Sequence, residues 1–485
     1  MQTNDHPTAQ QIEQRFAPFR ARMQAENLPE LFIATFRHYY AQLVAGETGD
    51  IPESEIEPVA DLPDAERLPE RLARLGEAHL AQTVFIKLNG GLGTSMGLQK
   101  AKSLLPVKDD LTFLDVIVRH ALHHGIPLVL MNSFNTRADS LAWLRRHPDL
   151  GGDIPLDFVQ HKAPKVRQDT LEPVSWPANL ALEWAPPGHG DLYTALVTSG
   201  MLETLLAHGY EYAFVSNSDN LGAALDAAIL GHFIENRLPF MMEVADRTPA
   251  DRKGGHLARR KSDGQLILRE SGQCPAADVD AFQDVSRHRY FNTNNLWFHL
   301  PTLKRVMDER QGILGLPMIR NRKTVDPRDP SSTPVYQIET AMGSAIAVFP
   351  GAQALRVPRT RFSPVKTTNE LLSVRSDAFI LTDDFRVILH PQRAGKTVVV
   401  ALDPKYYKLI DQFDARFPYG PPSLLHCDKL VVRGDVVFGK NIALEGEVEI
   451  INEDPDPYLF DEEQARLHLG HHHDHDHDAG FFLKT

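Results

Sequence analysis

A glycine-rich turn, a lysine just beyond it, an isolated aspartate and a second, distant lysine are the parts of this sequence best suited to handling phosphate. The turn lies in residues 83–107, TVFIKLNGGLGTSMGLQKAKSLLPV. Residues 83–88 are β-branched and apolar enough for a buried strand, and Gly90, Gly91, Gly93 and Gly97 fall in the turn that leaves it. Glycine reaches positive φ and lets backbone N–H groups approach a ligand, and successive inward N–H groups form an anion-binding nest. Lys102, followed by Ser103, adds a point charge. The common phosphate-loop patterns are not met. No glycine of the turn has a Gly-Lys pair at Walker A spacing, and Gly97 comes one residue late for GxGxxG. Gly395-Lys396-Thr397 has His390 where Walker A needs its first glycine. Taken alone, the loop is as well explained by a structural turn.

The run 212–216 (YAFVS) leads straight into Asn217-Ser218-Asp219-Asn220. A carboxylate at the C-terminal end of a strand suits Mg²⁺, which typically takes one or two protein carboxylates and completes its shell with phosphate oxygens and water. The same cluster suits a helix N-cap, and both readings stand. Pro186-Pro187-Gly188-His189-Gly190-Asp191 is stiff at its entry and open in backbone around His189, as a ligand loop or a plain turn. Lys253-Gly254-Gly255 repeats the pairing of a basic residue with exposed backbone. In Phe291-Asn292-Thr293-Asn294-Asn295 polar amides precede the apolar Leu296-Trp297-Phe298; amides serve sugar hydroxyls and turns alike. Residues 359–369 (RTRFSPVKTTN) are basic; Phe362, Pro364 and Val365 argue for an ordered segment with Lys366 aimed inward, against a solvated basic face. The set fits phosphoryl or nucleotidyl transfer, in which positioning and charge neutralisation supply most of the catalysis. Hydride transfer fits it less well, and spacing picks out no Ser-His-Asp arrangement.

The elements that must position these residues follow from periodicity. Apolar residues at helical spacing (Ile12, Phe16, Phe19, Met23, then Phe32, Phe36, Tyr39, Leu43) predict two amphipathic helices, broken at Asn27-Leu28-Pro29-Glu30. A proline- and acid-rich link at 51–64 follows. Apolar runs at 126–131, 212–216, 240–244 and 296–300 alternate with helical stretches, which implies βαβ units and a mostly parallel sheet covered on both faces. Ligands of such sheets bind beyond the carboxyl ends of the strands, where the polar residues above are found. In 430–451, valines and leucines recur about every six residues, as in a β-helix of about three coils, with an ordinary antiparallel sheet as the alternative. The expected division is 1–78 helical, 79–384 catalytic, 385–460 β-helix-like and 461–485 a His/Asp-rich tail.

The chain has 485 residues and a net charge of −13, which argues against a general binder of nucleic acid or anionic membrane. Cys274 and Cys427 supply neither a disulfide framework nor a zinc cluster and fit a reducing cytoplasm. The polar N-terminus lacks a secretory apolar run, and no unbroken apolar stretch reaches membrane-spanning length. A soluble cytoplasmic protein is expected. The tail HHHDHDHD (471–478) reads as a solvated segment, with loose Zn²⁺ or Ni²⁺ binding as the alternative.

With these residues in place, the chain resembles the UDP-glucose pyrophosphorylases (UTP–glucose-1-phosphate uridylyltransferases). The resemblance rests on separated blocks in the family's order: KLNGGLGTSMG (87–97) with Lys102-Ser103, PGHGDLY (187–193), DNLG (219–222), Lys253-Gly254-Gly255, FNTNNLW (291–297), QIET (337–340) and RTRFSPVKTTNEL (359–371). It implies an α/β, Rossmann-like nucleotide-diphospho-sugar transferase core with a small C-terminal left-handed β-helix. It also implies UTP and glucose 1-phosphate as substrates, Mg²⁺ as cofactor, and association into a homo-oligomer as an open matter. By motif, the backbone of Leu88, Asn89, Gly90 and Gly91 and that of Gly188 meet uracil and ribose, and Gln160 reads the uracil edge. Lys102 holds the triphosphate, Asp219 the metal, and Lys366 bridges the phosphates of both substrates. His189, Asn217, Gly255, Asn292 and Asn294 contact the sugar phosphate, with Lys253 beside them. Ala101 stands where eukaryotic members carry proline. The competing readings are a UDP-N-acetylhexosamine or broad-specificity UDP-sugar pyrophosphorylase, and a non-catalytic sugar-nucleotide-binding protein.

Overall fold

The computed structural model describes residues 6–472 and 481–484. Most of the His/Asp-rich stretch 471–478 therefore lies outside the described residues. The strand Thr83–Asn89 runs at the centre of a ten-stranded sheet, between Tyr212–Asn217 and Leu128–Asn132, both parallel to it. Asp157–Val159 extends the parallel set beyond Leu128–Asn132. Val84, Phe85 and Ile86 are buried, as expected of a parallel strand covered on both faces.

Register decides where the polar loops leave. Leu88 pairs with Asn217 on one side and Met131 on the other, and Asn132 pairs with Val159. The glycine-rich turn, Ser218-Asp219, Ser133 and Gln160 therefore all emerge from one carboxyl edge of the sheet. This is the edge at which parallel α/β sheets bind ligands.

On the other side of Tyr212–Asn217 the sheet turns antiparallel. Tyr290–His299 pairs antiparallel with it and also with Phe240–Asp246, which runs parallel to Gln353–Arg356. The polar amides at 292–295 belong to this long strand instead of preceding it. The cause is period-two alternation: Thr293 and Asn295 point into the core, and Asn292 and Asn294 lie on the less buried face. The pairing with Phe240–Asp246 shifts register between Glu243 and Val244, and Asn294 sits at φ 60°.

The two N-terminal helices are Ala9–Ala25 and Glu30–Val44. Thr8 caps the first, its hydroxyl accepting from the Gln11 amide at 3.1 Å while Gln11 Oε1 accepts from the Thr8 amide at 2.8 Å. Phe16, Phe19, Phe36 and Tyr40 form one aromatic cluster, with Phe19 and Tyr40 centroids 4.8 Å apart. Phe32 stacks on His161 at 4.5 Å, and the Tyr39 hydroxyl donates to Leu316 O at 2.8 Å, so the pair is fastened to the site-bearing body.

Near the C-terminus, Ser423–Arg433 and Ala443–Ile451 pair in parallel, Leu430 with Val448 and Val432 with Ile450. Val399–Leu402, Phe481–Lys484, and the pair Val436–Phe438 with Tyr458–Phe460 add further parallel contacts. These pairings are parallel throughout, which removes the antiparallel alternative. One apolar cluster runs from Phe85 and the helix Phe113–His124 to Val432, Val448 and Phe460, so the strands share a core with the sheet. Among the described residues no helix is long and apolar enough to cross a membrane.

Candidate active site

Lys102 and Lys366 meet on a single carboxylate oxygen. Lys102 Nζ lies 2.9 Å and Lys366 Nζ 3.0 Å from Asp219 Oδ2, across 117 and 147 positions of chain. Asp219 Oδ1 is buried and has no hydrogen-bond partner. The carboxylate is 13% exposed and Lys102 17%, whereas Lys366 keeps 58% of its side-chain surface. Two ammonium groups around one carboxylate leave a net positive cluster, the charge a polyphosphate requires.

Local structure accounts for each member. Asp219 follows directly on Tyr212–Asn217, in a turn fixed by the Asn220 amide to Asn217 O at 3.1 Å. It is not a helix cap: the next helix, Ala227–Glu235, is capped by Asp226, whose Oδ1 accepts from the Ala228 and Ile229 amides. Lys102 stands where the glycine-rich turn closes on itself, with the Lys102 amide donating to Gly91 O at 3.2 Å. Lys366 is placed by the Val365 amide, which donates to Asp219 O at 3.1 Å.

Beside this cluster lies a cradle made mostly of backbone. Gly90 is so close to Gln160 that a Cβ there would fall 2.7 Å from Gln160 Oε1, whereas Gly91 has open space on its Cβ side. The Asn89 side chain is engaged inside the protein, donating to Asn132 Oδ1 and Ser140 Oγ at 2.8 Å each and accepting from Ser103 Oγ at 2.5 Å. Only its backbone is left for a ligand. Gly188 adopts φ +82° against Thr340, whose carbonyl would sit 2.3 Å from any Cβ. His189 Nδ1 accepts from the Met342 amide at 2.8 Å, which assigns the ring proton to Nε2. Burial and the Lys366 charge hold the imidazole pKa down at about 4, so this ring is a neutral donor at physiological pH.

A third group gathers around Gly255. The Asn292 amide donates to Gly255 O at 3.4 Å, and Asn292 and Asn294 bond each other at 2.8 Å. Glu270, which carries no motif signal, is also here: a Cβ on Gly255 would fall 2.7 Å from Glu270 Oε2. Burial pushes its carboxyl up to about 7. A lone acid following the short run Leu266-Ile267-Leu268-Arg269 was the only sequence trace of it. Lys253 lies on an exposed turn and makes no ion pair among the described residues.

The family model for UTP–glucose-1-phosphate uridylyltransferase matches residues 31–445, a span containing every residue named in the three groups. The chain belongs to this family. It is 41% identical over 387 residues to a probable UTP–glucose-1-phosphate uridylyltransferase of Schizosaccharomyces pombe, covering 78% of this chain and 75% of that one. With the enzyme of Solanum tuberosum it shares 41% over 379 residues, 76% of this chain and 77% of that one. A structure of a mutant UDP-glucose pyrophosphorylase from Leishmania major superposes with a TM-score of 0.84 at 45% identity, covering 91% of this chain and 95% of the other. Another from that organism, in complex with UDP-glucose, gives 0.83 at 42% identity, covering 97% and 98%.

Within the Asp219 cluster, one oxygen is of the kind that could hold a divalent cation. A hard carboxylate oxygen, Oδ1, is buried and unpartnered beside the phosphate-attracting lysines. A second grouping, His120, His124 and Asp384, has metal-like proximity. Its chemistry is different: His120 Nδ1 bonds Asp384 O at 2.8 Å while Nε2 accepts from the Leu225 amide at 3.1 Å, so both ring nitrogens are taken. That grouping ties the helix Phe113–His124 to the segment leading to the C-terminal strands.

Proposed function

We propose that this chain transfers the uridylyl group of UTP to glucose 1-phosphate, reversibly, giving UDP-glucose and pyrophosphate. The observation that carries the reading is the meeting of Lys102 and Lys366 on Asp219 Oδ2 at the carboxyl edge of the parallel strands. Family membership and the naming of its relatives point the same way.

In this reading uracil and ribose lie along the backbone of 88–91 and Gly188, with Gln160 at the base edge. Lys102 pairs with the triphosphate, and Lys366 spans the two phosphates to be joined. His189 donates from Nε2 to the sugar phosphate, and Asn217, Gly255, Asn292 and Asn294 line its place. A phosphate oxygen of glucose 1-phosphate attacks the α-phosphorus of UTP in line. The bond to the β-phosphate bridging oxygen breaks opposite, and its electron pair leaves with pyrophosphate. No covalent enzyme intermediate forms, and the protein's part is positioning and charge neutralisation. Asp219 would hold Mg²⁺, which when bound supplies further neutralisation of phosphate charge.

We also keep the domain division stated above, a cytoplasmic location, and a left-handed β-helix for the C-terminal strands. The parallel pairing of Leu430 with Val448 supports successive coils, and handedness is the finer part of the proposal.

The test is pyrophosphate release from UTP with a panel of sugar 1-phosphates. Glucose 1-phosphate is expected to give the largest kcat/KM. Preference for an N-acetylhexosamine 1-phosphate would replace the reading with the neighbouring pyrophosphorylase, and binding of UDP-glucose without turnover would remove catalysis altogether.

A pH prediction follows from Glu270. Its carboxyl rises from 4.5 to about 7 through burial, so the fold favours the neutral form. This stabilising contribution is complete below 4.5 and is lost as the pH climbs through about 7. As a carboxylate it accepts hydrogen bonds from sugar hydroxyls. The KM for glucose 1-phosphate is therefore expected to fall as pH rises through about 7, and Glu270→Gln to flatten that dependence. Equal pH profiles for both proteins would exclude Glu270 from the sugar site.

A further inference from the structure

Behind the phosphate cluster lies a buried ion pair that touches none of the residues assigned to substrate. Glu243, fully buried in the strand Phe240–Asp246, accepts from Arg361 Nε at 2.6 Å and from its second terminal nitrogen at 3.0 Å. It also accepts from Trp297 Nε1 at 2.8 Å and Asn295 Nδ2 at 3.2 Å. A carboxylate and a guanidinium removed from water this thoroughly are a costly choice for a core, and an apolar pair of equal volume often serves stability as well. Their placement suggests another use.

Besides its bonds to Thr293 and Asn295 of the strand Tyr290–His299, the pair is tied to the two chain segments that carry the phosphate cluster. Arg361 Nη1 donates to Ala224 O at 3.0 Å, in the turn after Asp219. Arg361 O accepts from Asn220 Nδ2 and Asn295 Nδ2 at 3.1 Å each. Asn220, the neighbour of Asp219, accepts at Oδ1 from the Ser363 amide at 2.8 Å, three residues before Lys366. It bridges Pro364 as well, and a Cβ on Gly222 would fall 2.6 Å from Thr360 O, so the two segments touch at backbone distance. Lys87, from the strand Thr83–Asn89, holds the adjacent carbonyl, Ala223 O, at 3.1 Å. Two buried basic side chains thus grip consecutive carbonyls of the Asp219 turn, while Asn220 ties that turn to the Lys366 segment.

We propose that Glu243, Arg361 and Asn220 form a positioning clamp that sets Lys366 over Asp219. This rests on the function proposed above and adds residues to it. None of the three meets substrate; they act through Lys366. The fixed fork of Arg361 suits the task, because a planar guanidinium bonded on both sides of its carboxylate cannot swivel.

The test is a pair of double-mutant cycles. Glu243→Gln and Asn220→Ala are each made in the wild-type chain and in the Lys366→Ala chain, with kcat measured at saturating UTP and glucose 1-phosphate. In the wild-type background each variant is expected to lower kcat by about tenfold or more while the UTP dissociation constant moves less than about threefold. In the Lys366→Ala background the further loss is expected to stay below about twofold, because the residue being positioned is gone. Equal fold-losses in the two backgrounds, or UTP affinity falling in step with kcat, would overturn the clamp. Should Glu243→Gln fail to fold, the Asn220→Ala cycle decides alone. Wild-type turnover in the same assay separates the two proposals: with it present and the losses multiplying, the clamp fails and the assigned reaction stands.

Discussion

Replacing Lys366 by alanine is expected to lower kcat by about 10²–10³ while UTP still binds. The structure gives this substitution little else to disturb. The side chain is 58% exposed, and its partner oxygen, Asp219 Oδ2, keeps Lys102 at 2.9 Å, so truncation leaves neither a cavity nor an orphaned carboxylate. In the proposed reaction, what disappears is the positive charge assigned to the place where the two substrates' phosphates are joined. That charge counts for more in the transition state than in the UTP complex, so the loss belongs to kcat. Lys366→Arg is expected to recover only part of it, because a planar fork does not present charge as a compact ammonium does. A second readout lies on His189, whose depressed pKa is due first to burial and then to Lys366. In Lys366→Ala the imidazole should titrate closer to its ordinary value, with burial still holding it below. Pyrophosphate release, UTP calorimetry and an NMR titration of His189 check the three statements. Turnover within about threefold of wild type would remove Lys366 from the reaction.

The members of the site were legible in the sequence to different depths. Lys102 announced itself through a local pattern, a basic residue just after a strand and a glycine-rich turn. Asp219 was visible only as one of two uses of a polar cluster at a strand end, and what decided against the cap was Asp226, seven positions on. The meeting of both lysines on Asp219 has no local signature, because contacts across 117 and 147 positions depend on sheet register; the family resemblance assigned the three residues to one phosphate site but not their pairing. Glu270 and Glu243 were missed for a shared reason. Each is a single acid beside or within an apolar run, where composition reads only a strand. Their meaning comes from what the fold sets opposite them: Gly255 for one and Arg361 for the other.

The fold divides along similar lines. Runs of β-branched and apolar residues located the parallel strands to within a few positions: 126–131 became Leu128–Asn132 and 212–216 became Tyr212–Asn217. The antiparallel half was less legible. Tyr290–His299 carries three turn-favouring asparagines at 292, 294 and 295, and it is held as a strand by partners on both sides, including the buried bonds of Thr293 and Asn295 to Glu243. Tertiary pairing there overrides local propensity, as it commonly does in strands.

The Asp219→Asn substitution should separate the metal from the lysines. The change is nearly isosteric and removes one negative charge from a group that is 13% exposed. Without Mg²⁺, the carboxylate and a triphosphate approaching the same lysines repel each other. Two unit charges about 4 Å apart interact by about 4 kcal/mol at an effective dielectric of about 20. In metal-free buffer the Asn variant is therefore expected to bind UTP at least as tightly as wild type. Added Mg²⁺ should reverse that order, because only the carboxylate offers a hard anionic ligand, and its Oδ1 has no competing partner in the fold. In saturating Mg²⁺ the variant's kcat is expected to fall by about 10²–10³. An amide donor facing Lys102 and Lys366 no longer balances the two ammonium groups, so the phosphates lose both the metal's share of neutralisation and the lysines' placement. UTP calorimetry with and without Mg²⁺, beside steady-state rates, distinguishes the outcomes. A variant whose UTP affinity still rises with Mg²⁺ as in wild type would place the metal on other groups, and one that also kept its turnover would leave the convergence at Asp219 a structural ion pair.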